Sequence, residues 1–67
     1  MDPEGVSGKL LYNMGSSYAS LELFQDAVKC FIQAIDRGLD ENDRALCKKQ
    51  LSRCKILAKE QARRSGQ

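Results

Sequence analysis

LLYNMGSSYASLELFQDAVKCFIQAIDRGLD, residues 10–40, spaces a set of small and large apolar residues at helical intervals: Leu11, Gly15, Tyr18, Phe24, Ala27, Phe31 and Ala34. From Leu11 through Met14 and Tyr18 to Leu21 the apolar positions recur every three or four residues, which stacks them on one stripe of a helix. Gly15 lies inside that helix, where glycine costs about 1 kcal/mol relative to alanine. Close approach of a second helix is the compensation expected. Ala27 and Ala34 offer a flat surface for it, with Tyr18, Phe24 and Phe31 filling the flanking space.

The second helix reads as residues 25–37, with Ala27, Val28, Phe31, Ala34 and Ile35 inward and Gln25, Asp26, Lys29, Gln33 and Asp36 outward. Gly38 follows the last periodic residue. There it can take a left-handed conformation that closes the helix, with Leu39 folding back on Ala34 or Ile35. The first helix, residues 8–21, is separated from the second by only a few residues, so the two are expected to be antiparallel neighbours.

Residues 41–62 form a third helix. Asp40 is placed as its N-cap, Glu41 and Asp43 put negative charge in its first turn, and Lys59, Arg63 and Arg64 put positive charge toward its end, all favourable to the helix dipole. Its apolar seam is Cys47, Leu51, Cys54 and Ala58, with Leu46 and Leu57 on a neighbouring row. The expected fold is therefore all-α, a helical hairpin plus a third packed helix over residues 8–64. Residues 1–7 are polar and unpatterned, read as a disordered start or an appended remnant, and 65–67 as a disordered end.

On Leu11, Gly15, Tyr18, Phe24, Ala27, Phe31 and Ala34, the chain resembles a tetratricopeptide repeat, a helical hairpin with a period of about 34 residues. Leu11 stands where that family often has Trp and Met14 where it has Leu, while Gly15 and Tyr18 match outright. Glu22 departs from it where glycine is common in the interhelix turn, and Leu39 where proline usually follows. The third helix does not repeat the motif and resembles the covering helix at the end of such an array. The run RALCKKQLSRCKILAK, residues 44–59, more weakly resembles the last helix of the microtubule-interacting and trafficking module, a three-helix bundle that binds tails of membrane-remodelling polymers.

The first resemblance implies a protein-interaction module that binds a peptide, a neighbouring repeat or another subunit. Carried over position by position, it places Lys9, Tyr12, Asn13, Ser16, Ala19 and Ser20 on the ligand-facing groove. Asn13 matches an asparagine that bonds the ligand main chain in many members, an amide offering both donor and acceptor. Lys9 matches a lysine that helps hold a terminal carboxylate in one subgroup, but Tyr12 and Ser16 replace other residues of that clamp, so a complete clamp is absent. The trafficking resemblance implies a tail-binding groove beside the third helix.

Size and composition narrow the rest. A core in 67 residues supplies only about 3–5 kcal/mol, and repeat units generally need about three neighbours to bury their open faces. Self-association as a structural oligomerisation element is therefore a second expectation. There is no histidine, and Ser16, Ser17 and Asp26 have no base to activate a nucleophile, so no enzyme and no cofactor is expected. Cys30, Cys47 and Cys54 lack CxxC spacing and read as small buried apolar residues rather than metal or redox groups; their odd number suits a reducing, cytoplasmic setting. No signal-type leader and no membrane span is expected, since no apolar run approaches about 18 residues.

Charge divides unevenly along the chain. Residues 1–40 balance at −3 and residues 41–67 at +5, within a total of +2. Arg44, Lys48, Lys55 and Lys59 fall on one arc of the third helix beside its apolar seam. That basic strip suits a solvated face or an acidic protein partner. Nucleic acid is disfavoured, since no aromatic interleaves the lysines to stack on bases.

Overall fold

The computed structural model describes residues 7–65, and the expectations for residues 1–6 and 66–67 lie outside it. Three helices make the described fold: α1 (Gly8–Ser20), α2 (Phe24–Arg37) and α3 (Glu41–Ser65). No strand occurs among the described residues, so the architecture is all-α as expected. α1 opens on Ser7, a residue read from sequence as part of the unpatterned start. Its Oγ accepts the Leu10 N–H at 3.2 Å and its carbonyl accepts from Leu11 at 3.0 Å, satisfying donors that a helix start leaves free.

The first connection is a Schellman closure. The Leu23 N–H donates to the Tyr18 carbonyl at 2.8 Å, and the Glu22 N–H donates to the Ala19 carbonyl at 3.0 Å. This geometry needs a left-handed residue between them, and Glu22 supplies it at φ 63°. Glutamate is held where glycine is normally used. At the end of α2 glycine is used: Gly38 has φ 112° and its N–H donates to the Ala34 carbonyl at 3.1 Å. Its ψ of 128° lies outside the left-handed helical well that the sequence suggested, so the chain leaves α2 extended rather than curling back. Leu39 nonetheless packs against the core. α3 then begins as the Asp40 carbonyl accepts the Arg44 N–H at 2.8 Å.

Two glycines set the α1–α2 contact. A Cβ on Gly15 would sit 2.6 Å from Phe31 Cε1 and 2.8 Å from Cδ1, so the ring of Phe31 occupies the space that the missing side chain leaves. The close approach expected at Gly15 is present. Its partner, however, is an aromatic edge rather than the alanines. One heptad earlier, a Cβ on Gly8 would collide with the Gly38 carbonyl and lie 2.9 Å from the Ala34 carbonyl, so here backbone meets backbone. Pairing Gly8 with Gly38 and Gly15 with Phe31 makes the helices antiparallel.

Phe31 is the hub of the core. It is fully buried, its ring lies 5.9 Å from that of Tyr12 at a 46° tilt, and its carbonyl accepts the Cys47 Sγ–H at 3.5 Å. Leu11, Ala27, Ala34, Cys47 and Cys54 complete the buried cluster, with Tyr18, Phe24, Val28, Ile35 and Leu51 packed around it. All three cysteines are buried, as expected of small apolar residues. Met14 and Leu21, read from sequence as members of the buried stripe, are exposed, and so is Leu46 on α3. The buried stripe is narrower than the apolar periodicity suggests: Leu11, Gly15 and Tyr18 face α2, and Met14 and Leu21 fall off one edge of the contact.

Candidate interaction groove

α3 runs alongside α1 in the same direction. At one end Lys9 Nζ lies 3.2 Å from Asp43 Oδ2, and at the other Gln61 Nε2 donates to the Glu22 carbonyl at 3.0 Å. These two links tie the helices at their ends while most of α3's packing is against α2. Between them the helices stand apart. A groove of about 590 Å³ opens there, with Ala19, Phe24, Leu46, Cys54 and Leu57 as its apolar surface and Ser20, Lys49, Gln50 and Arg53 among its polar residues. A second hollow, about 360 Å³, continues past Phe24 and Leu57 to Gln61 and Arg64.

The sequence explains why the groove forms there. Ala19 and Ser20 give α1 little side-chain bulk toward α3, and Leu46 and Leu57 flank the gap without filling it. Lys49 and Arg53, one helical turn apart, stand over the apolar surface with no carboxylate partner among the described residues. The guanidinium of Arg53 is near enough to Cys54 to favour its thiolate, though burial outweighs this and the Cys54 thiol is pushed up from its ordinary value. Burial likewise raises Cys30, reinforced by the carboxylate of Asp26, and raises Cys47. In all three, burial favours the protonated thiol. Among the described residues no group of histidine, cysteine or carboxylate side chains is arranged to hold a metal.

The residues singled out from sequence fall in different places. Ser20 and Ala19 line the groove. Lys9 is committed to Asp43, and Tyr12 packs on Phe31. Asn13 is exposed and Ser16 half-buried, both outside the groove lining. Arg44, Lys48, Lys55 and Lys59 are exposed on one arc, as read, but on the opposite flank of the Cys47–Cys54 seam from the groove. Sequence reasoning missed Lys49 and Arg53. Their signal was present as a second cationic row, but choosing between rows requires knowing on which side α1 lies.

No helix among the described residues is long and apolar enough to cross a membrane. In comparisons with known proteins, no family model, curated protein or solved structure matches the chain.

Proposed function

We propose that this chain is a protein-interaction module of tetratricopeptide type that binds an acidic, partly apolar peptide in the groove between α1 and α3. The observation that supports this most is the pairing of an apolar surface with the two cations Lys49 and Arg53, which have no carboxylate partner among the described residues. A ligand carboxylate over that surface gains charge-assisted hydrogen bonds while its apolar side chains cover Phe24, Leu46 and Leu57. The seven-residue signature and the glycine-set hairpin fit the same family reading. Glu22 on the groove wall selects against ligands that bring negative charge to that end.

The test is a chemical-shift titration of the labelled chain with an acidic amphipathic peptide. Shifts at Ala19, Ser20, Phe24, Lys49 and Arg53 are expected, and Arg53→Glu should weaken binding several-fold without changing helicity. A null titration, or shifts confined to Arg44, Lys48, Lys55 and Lys59, would overturn this placement. Asn13→Ala tests the family's usual groove face and is expected to leave affinity unchanged. The trafficking-module alternative draws on the length of α3, 25 residues against 13 and 14 for the other helices. It requires a tail peptide to shift residues of α2 and α3 together while leaving Ala19 and Ser20 unmoved.

A further inference from the structure

Residues 10–21 contain no charged side chain, although they form most of a helix with a solvent-facing side. A surface helix normally carries its charges on that side. Here Leu10 is 44%, Met14 38% and Leu21 68% exposed, and Ser17 is exposed with them. At helical pitch, Leu10, Met14, Ser17 and Leu21 lie on one arc of α1, on the far flank of Leu11 and Gly15 from Lys9 and Ala19, the residues directed to α3. The stripe is thus on a different face from the groove, and its occupant is a separate question.

We propose that this stripe is a homotypic contact, covered by α1 of a second copy of the chain in an antiparallel, two-fold arrangement. Two observations select that occupant. The first is charge: a two-fold contact sets a surface against itself, which a charged face resists, and this apolar face is free of charge along its whole length. The rest of α3's surface, with its positive excess, would repel its own image. The second is register. The 4-3-4 spacing is symmetric about its middle, so antiparallel pairing sets Leu10 against the second copy's Leu21 and Met14 against its Ser17, a long side chain facing a short one. A 13-residue helix pair buries roughly 800 Å² in total, below the roughly 1,200 Å² at which stable specific interfaces begin, so the dimer is weak and concentration-dependent.

Sedimentation equilibrium of the whole chain, from roughly 10 μM to 1 mM, tests this. The parent should rise toward twice its monomer mass across that range and behave alike in low and high salt, because no charges meet in the contact. Met14→Glu, at an exposed helical position, should remain monomeric throughout with unchanged circular dichroism. Leu21→Ala should raise the dissociation constant roughly tenfold, since the symmetry removes that side chain from the contact twice. A parent that stays monomeric leaves the stripe to a different polypeptide and overturns the proposal. Association that survives Met14→Glu, grows past the dimer, or dissolves in high salt overturns it as well, the last two pointing to head-to-tail contact between the negative and positive halves. None of these results depends on whether an acidic peptide binds the groove.

Discussion

Replacing Gly15 by alanine sets two known effects against each other. Alanine in a helix interior gains about 1 kcal/mol over glycine. Against this, the new methyl would stand 2.6 Å from Phe31 Cε1, so ring and helix must part by about 0.8 Å to reach ordinary van der Waals contact. Phe31 has little room to yield: it is fully buried, with Tyr12 against its ring and Cys47 on its carbonyl. Overpacking of this kind costs about 1–3 kcal/mol, and with the ring pinned the upper part of that range applies. The expected net loss is about 1–2 kcal/mol from a domain of about 3–5 kcal/mol. At about 4–8 °C per kcal/mol this is a plain fall in Tm, measured by circular dichroism at 222 nm. Phe31→Leu should destabilise the parent by leaving a void, yet cost about 1 kcal/mol less in the Gly15→Ala background, because the smaller side chain relieves the clash. Gly15→Leu should abolish the cooperative transition. A Gly15→Ala chain as stable as the parent would refute the reasoning, since helix propensity would then have won and the contact would not be tight.

Glu22→Gly should stabilise the fold by about 0.5–1 kcal/mol, because a left-handed L-residue costs about 1–2 kcal/mol and glycine returns part of that through its freer unfolded chain; a lowered Tm would refute it. Ser7→Ala should cost about 1 kcal/mol through loss of the bond to the Leu10 N–H, read as increased fraying of α1 by amide exchange. Lys9→Met should change stability by less than about 0.5 kcal/mol, since Lys9 is 64% exposed and its ion pair with Asp43 is screened; a larger loss in chemical denaturation would show that this link positions α3. Burial raises all three thiols, so the unfolded chain releases their protons at lower pH than the folded one. Stability tied to them is fully present below the ordinary thiol value and is lost as pH rises toward the raised ones. Under reductant, Tm should therefore fall from pH 8 to pH 10, and a Cys30→Ala, Cys47→Ala, Cys54→Ala chain should lose most of that slope.

The cores of the three helices were legible because the signals that define them are local. Apolar residues at three- and four-residue intervals placed Leu11, Ala27, Phe31, Ala34, Cys47 and Cys54 inward, and all are buried. An internal glycine announced a close contact at Gly15, and a glycine after α2 announced its end. Other features had weaker signals. Gly8 was hidden at the very start of a helix, where glycine carries little penalty and so raises no question. The departure at Glu22 was visible, but its strain was not, because φ is set by the closure between Tyr18 and Leu23.

Sequence by itself determined the centre of each helix's inner face but not its width, since the centre follows from a 3.6-residue turn and the avoidance of water by apolar side chains, whereas Met14 and Leu21 lie at an edge that only packing places outside. The azimuth of α3 around the hairpin was decided only in three dimensions. It is fixed by how Cys47 and Cys54 nest against Phe31 and its neighbours, which brings Lys9 to Asp43 and Gln61 to Glu22. That one rotation sends Arg44, Lys48, Lys55 and Lys59 to one flank and Lys49 and Arg53 to the groove. Periodicity defines a helix's inner face but is blind to the direction of its outer ones, because the neighbours that give those directions meaning come from distant parts of the chain.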